Sequence, residues 1–143
     1  MSKNQHGISV PRSILELFGI VFLRFRTVPR IWVAWLVAVN SAGLLFITHM
    51  EAQVVLTAVG LAVLAQALIY QRKRFIRLLG VTHFIWVPML AWIAFRLGTQ
   101  PVGDSAIHIW LLMLMATNAV CLGIDSLDLT RFVRGDRKPY YTW

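Results

Sequence analysis

Gln66, His83 and Asp125 stand inside strongly apolar runs of the chain. A histidine beside a carboxylate is the elementary proton-transfer pair, because imidazole titrates near neutrality and its neighbour sets the tautomer. Each of the three stands six residues inside a basic residue that marks the end of its run: Gln66 from Arg72, His83 from Arg77, Asp125 from Arg131. At the α-helical rise per residue, all three lie about 9 Å deep, in one layer. Asn118, Cys121, Asp125 and Asp128 follow at i, i+3, i+7 and i+10. That spacing makes one polar stripe, which must face protein rather than lipid. Asn40 lies further from its basic end and is placed to meet Asn118 nearer mid-depth.

Two chemistries fit this layer. In the structural one, the side chains are interhelical hydrogen bonds, each contributing about 0.6–2 kcal/mol. In the functional one, His83 and Asp125 form a proton or ion relay with Gln66 bridging, or wall a site for a lipid, quinone or other small ligand. Asp128 reads more simply as an ion pair with Arg131 or Arg24. A second constellation, His49, Glu51, Asp104 and His108, gathers at the opposite ends of the runs. Four such side chains are able to bind a divalent ion, and two histidines to act as axial ligands of a haem. Their spacings match no fixed motif, so polar anchors at the membrane interface are the simpler reading. Cys121 has no partner thiol, which excludes an intrachain disulfide and a cysteine-based zinc site and leaves a small buried hydrophobe.

The elements that position these residues follow from composition. Apolar residues make up 58 % of the 143, and charged residues only 14 %, where a soluble domain carries roughly 25 %. Mean hydropathy is +0.67. Four stretches approach the roughly 20 helical residues that cross a bilayer: Ile31–Thr48, Ala52–Gln71, Leu78–Phe95 and Ile107–Ile124. An all-α, four-span integral membrane bundle is expected, over residues 31–124.

Charge sets its orientation. Of 14 basic residues only Arg96 falls between spans three and four, and none between one and two; the other 13 lie in residues 1–30, in 72–77 and in 131–138. By the positive-inside rule both termini are expected in the cytoplasm of a bacterial-type inner membrane. Arg12, Arg24, Arg26, Arg30, Arg72, Lys73 and Arg74 are then candidate contacts for anionic headgroups, and this polarity accounts for the basic excess without nucleic acid.

Residues 1–30 form a cytoplasmic segment. Ser13-Ile14-Leu15-Glu16 has the form of a capping box and starts a helix just after Pro11. Arg12, Glu16, Gly19, Arg26 and Arg30 share one face and Leu15, Phe18, Phe22 and Phe25 lie away from it, which makes an amphipathic interfacial helix. The alternative is a helix packed on the bundle's own end. Thr27 is placed to cap the first span, with Pro29 in its first turn. Pro88, between Trp86 and Trp92, interrupts the third span. Ala34, Ala38 and Ala42, then Ala58 and Ala62 with Gln66 continuing their row, and Ala119 and Gly123, are small residues at a spacing that permits close helix approach. The fourth span has no breaker until Gly135, and residues 125–143 form a basic cytoplasmic tail.

No phosphate loop, nucleophile elbow or HExxH stands in the chain, so no enzyme and no cofactor is expected. The layout resembles the small multidrug-resistance transporters, which carry a membrane-embedded glutamate in the first span. Here that span holds Asn40 and no acid, and their function is not carried over. The expected role is an accessory, assembly or scaffold subunit, bound to anionic lipid and to a protein partner or further copies of itself. A homo-oligomeric transporter or channel using His83 and Asp125 is the alternative, and a haem- or metal-binding redox protein using His49 and His108 a third.

Overall fold

The computed structural model describes residues 9–73, 77–99 and 105–136. Those residues form helices, with no strand among them. Four helical stretches are long and apolar enough to cross a membrane: Thr27–Phe46, Met50–Lys73, Arg77–Thr99 and Ser105–Val133.

The chain begins with α1, Val10–Gly19. The expected capping box does not form. Ser9 occupies the cap position, so Pro11 falls within the first turn, where its missing N–H costs nothing. Ser13 is thereby one turn inside the helix, buried, with its hydroxyl donating to the Ser9 carbonyl at 3.0 Å. Glu16 accepts instead from Arg12 at 3.0 Å and from the Tyr70 hydroxyl at 2.9 Å. The second of these bonds ties α1 to the bundle. Leu17 and Ile20 pack with Ala67, Tyr70 and Leu79 in a small core of their own, while Leu15 and Leu23 remain exposed. The helix therefore packs one face on the bundle, as the alternative expects, and turns the other outward; Arg26 and Arg30, expected on its polar face, lie beyond its end at the start of the next helix.

A single π-helical turn, Ile20–Arg24, follows α1. Arg30 folds back on its end and donates to the Phe25 carbonyl at 2.8 Å. Helix α2, Thr27–Ser41, then starts with Arg26 rather than Thr27 at the cap and continues as a 3₁₀ helix, Ala42–Phe46. Helix α3 spans Met50–Lys73.

The third candidate span is discontinuous. It runs as a 3₁₀ helix over Arg77–Ile85 and becomes α-helical only in α4, Trp86–Thr99. Pro88 stands in the first turn of α4, where no intrahelical donor is needed, so the break falls just before it. Nine residues is long for a 3₁₀ helix, and such stretches within a span mark strained or functional segments. Helix α5, Ser105–Val133, is unbroken through residue 125. It ends in a Schellman arrangement: Asp136 N–H donates to the Arg131 carbonyl, Gly135 N–H to that of Phe132, and Gly135 takes φ +108°.

The main core gathers Leu36 and Val39 of α2, Val55, Ala58 and Ala62 of α3, Trp86 and Ile93 of α4, and Ile107, Leu111 and Leu114 of α5. Ala58 and Ala62 are thus interface residues. Ala34, Ala38, Ala119 and Gly123 are not, and lie exposed. The reason is polarity: α5 must bury Thr117, Asn118, Cys121 and Asp125, and that stripe lies on a different face from Ala119 and Gly123.

Candidate functional site

In a 3₁₀ helix three residues make one turn, so side chains at i, i+3 and i+6 eclipse. Arg77, Gly80, His83 and Trp86 consequently stack in one row along the third candidate span, and that row faces α5. Arg77 Nη1 donates to Asp128 at 2.6 Å and its Nη2 reaches Asp136 at 2.8 Å. Gly80 lies against the Asp125 carboxylate. His83 Nδ1 stands 2.7 Å from Asp125 Oδ2. The His83 ring stacks on Trp86 with centroids 4.2 Å apart.

The other imidazole nitrogen, Nε2, stands 2.9 Å from Gln66 Nε2. With the amide donating, Nε2 is the acceptor and the proton resides on Nδ1, shared with Asp125. Cys121 closes the group, its Sγ 3.4 Å from Asp125 Oδ2 and 3.7 Å from His83 Nδ1. Gln66, His83, Cys121 and Asp125 therefore form one connected cluster contributed by α3, the 3₁₀ segment and α5. The three residues read as one layer are thus in direct contact. At the 3₁₀ rise of about 2.0 Å per residue, His83 lies about 12 Å from Arg77 rather than the roughly 9 Å of an α-helix.

Deeper in the bundle, Asn40 and Asn118 exchange two hydrogen bonds, at 3.0 and 3.1 Å, both side chains buried. Beside them Trp35 Nε1 donates to Thr117 Oγ1 at 3.2 Å. Asp128 takes Arg77 as its close partner, with Arg131 at 3.9 Å.

The constellation at the opposite end does not assemble as a ligand set. Among the described residues, the group with three metal-capable atoms in mutual reach is His83, Cys121 and Asp125, not His49, Glu51 and His108. Asp104 lies outside the described residues. Glu51 is buried and paired with Arg96 at 2.7 Å, and His49 packs edge-on against Phe46. Of the candidate headgroup contacts, Arg24, Arg26, Arg72 and Lys73 are exposed, Arg12 and Arg30 bond within their own segment, and Arg74 lies outside the described residues.

The cluster forms one wall of a cavity of about 480 Å³. Its apolar walls come from α1 (Leu17, Phe18), α2 (Trp32, Leu36), α3 (Val59, Val63) and Ile124 of α5, and its polar wall from Asn40, Gln66, Arg77, His83, Asp125 and Asp128. Trp86 also lines it. The Trp86 indole N–H is buried and has no hydrogen-bond partner among the described residues. An unsatisfied buried donor costs about 1–3 kcal/mol; this nitrogen is itself buried, so the cavity meets the Trp86 ring rather than its N–H.

Residues whose role the sequence did not disclose are Arg77, Gly80 and Trp86. Their i, i+3 spacing with His83 was the available signal, but it identifies a common row only once the segment is known to be 3₁₀. No family model, curated protein or solved structure matches this chain.

Proposed function

We propose that this is a non-enzymatic integral membrane protein, arginine-rich end in the cytoplasm, that binds a small amphiphile in the cavity between α1 and the polar row. One observation carries the reading: an apolar cavity large enough for a small ligand meets, at one wall, the Gln66–His83–Asp125 cluster. The ligand's chemistry follows from those walls. Its head carries an oxygen acceptor for the second N–H of the Gln66 amide. Its body is hydrocarbon and lies along Leu36, Val59 and Val63. Isoprenoid quinones and phospholipids both meet this description.

The test is organic extraction of the protein purified in mild detergent, followed by mass spectrometry, beside a Val63→Trp variant that fills the cavity. One amphiphile retained in near-stoichiometric amount and lost from the variant is the expected result, and its class separates quinone from phospholipid. Extracts indistinguishable from a detergent blank, or equal retention by the variant, overturn the reading.

An accessory or scaffold role stands beside it on a separate observation. Only 17–39 % of the most apolar window of each candidate span is buried within the chain, leaving most of that surface for lipid or for a partner. Mild-detergent affinity purification tests it. A single stoichiometric partner or a defined homo-oligomer is expected, and a clean monomer counts against it.

A further inference from the structure

We propose that His83, Cys121 and Asp125 form a tetrahedral Zn²⁺ site whose fourth position opens on the cavity. The proposal stands apart from the amphiphile reading, because water completes the coordination without any other ligand. Sequence alone argues against a cysteine-based zinc site, one thiol being too few. The tertiary structure supplies the missing donors from a different residue type on each side.

The geometry is close to what the ion needs. Zinc binds sulfur at about 2.3 Å and nitrogen or oxygen at about 2.0–2.2 Å, so tetrahedral ligand atoms sit about 3.3–3.6 Å apart. The two edges that involve sulfur are 3.4 and 3.7 Å. The third, His83 Nδ1 to Asp125 Oδ2, is 2.7 Å because it is a hydrogen bond. Replacing that proton by an ion requires the edge to open by roughly 0.6 Å, within the reach of small side-chain rotations. Cys121 and Asp125 are i and i+4 on α5 and thus project from one face, while His83 approaches from the 3₁₀ segment across the interface.

Charge favours the same ion. A thiolate and a carboxylate neutralise a divalent cation, so the loaded site carries no net charge into an apolar surrounding. Hard ions such as Mg²⁺ and Ca²⁺ demand six or more oxygen ligands and do not suit a set of one sulfur, one nitrogen and one carboxylate. The proton inventory is explicit. Cys121 releases its thiol proton to water on coordination. The His83 proton is retained and moves from Nδ1 to Nε2, and Gln66 turns its amide so that Oε1 accepts it, as an outer-shell group holds a metal-bound histidine. One proton leaves per ion bound. Trp86, stacked beneath the ring, holds the imidazole plane throughout.

The test uses the full chain in detergent, stripped with chelator and titrated with Zn²⁺ and with Co²⁺ as spectroscopic substitute. One ion per chain, one proton released per ion in weak buffer, and a sulfur-to-cobalt charge-transfer band are expected. The near-isosteric Cys121→Ser keeps the fold and abolishes that band. His83→Ala and Asp125→Asn weaken zinc binding by more than the roughly 10–100-fold typical of an outer-shell change, which is the loss expected of Gln66→Ala. The His49→Ala/His108→Ala double variant binds as the unaltered chain does. Zinc uptake unchanged by Cys121→Ser and Asp125→Asn, or lost in the His49/His108 variant, overturns the proposal. So does cobalt binding without the sulfur band.

Discussion

Gly80 meets the Asp125 carboxylate so closely that a Cβ built on it would lie 2.5 Å from Oδ1 and 2.9 Å from Cγ. The 3₁₀ segment and α5 touch here backbone to side chain. Substitution by alanine must displace Asp125, and with it the hydrogen bond to His83. Gly80→Ala is therefore expected to destabilise the protein by about 1–3 kcal/mol, the usual cost of overpacking, and to weaken occupancy of the cavity. Gly123→Ala is the control, because a Cβ there meets nothing within 4 Å. Thermal unfolding in detergent reads both; equal behaviour of the two variants would refute the close approach.

Asn40 and Asn118 form a reciprocal amide pair with both side chains buried. Removing one partner strands the other, whereas removing both leaves no unsatisfied group beyond the cavity. A double-mutant cycle of Asn40→Ala and Asn118→Ala should return a coupling of about 0.6–2 kcal/mol. Strict additivity in denaturant titrations would show that the pair does not hold α2 to α5.

At the other end of the bundle, Glu51 is buried with its side chain 6 % exposed, against Arg96. Arg96→Ala removes the guanidinium partner of that carboxylate and is expected to cost about 3 kcal/mol, as breaking a buried ion pair does. Arg12→Ala, whose side chain is 71 % exposed in its pair with Glu16, should cost less than about 1 kcal/mol. A comparable loss in both variants, measured by thermal unfolding, would contradict the difference in burial.

Orientation is open to direct measurement. Reporter fusions after Gln100 and after Trp143 should fall on opposite sides of the membrane, with Trp143 cytoplasmic, because 13 of 14 basic residues are assigned to that side. Same-side reporters would overturn the four-span order, and a cytoplasmic Gln100 the positive-inside assignment.

Much of this architecture is legible in the chain, because hydropathy and helix punctuation are local. The apolar runs, the break at Pro88 and the stop at Gly135 each depend on a few neighbouring residues. The polar stripe of α5 was equally readable, since lipid leaves such residues no inexpensive position but a protein interface. Other expectations failed for a common reason. Ser13 was assigned to a cap, but Pro11 is compatible with a helix that starts earlier. The spacing of Ala119 and Gly123 points to an interface, but Asn118, Cys121 and Asp125 take that role, because satisfying buried polar groups matters more than close backbone approach.

Sequence by itself determined that the chain is helical and apolar in four long stretches, that its charge is gathered at one set of ends, and which polar residues must seek each other. Tertiary structure decided how they meet. A 3₁₀ stretch aligns Arg77, Gly80, His83 and Trp86, with Gly80 admitting Asp125 and Arg77 reaching Asp128 and Asp136. Helical period is a property of the packed segment, and no residue in it specifies 3₁₀ over α on its own. The cavity is likewise a collective object, walled by residues from all five helices. The depth of a lone histidine could be counted along the chain; what stands on either side of its ring could not.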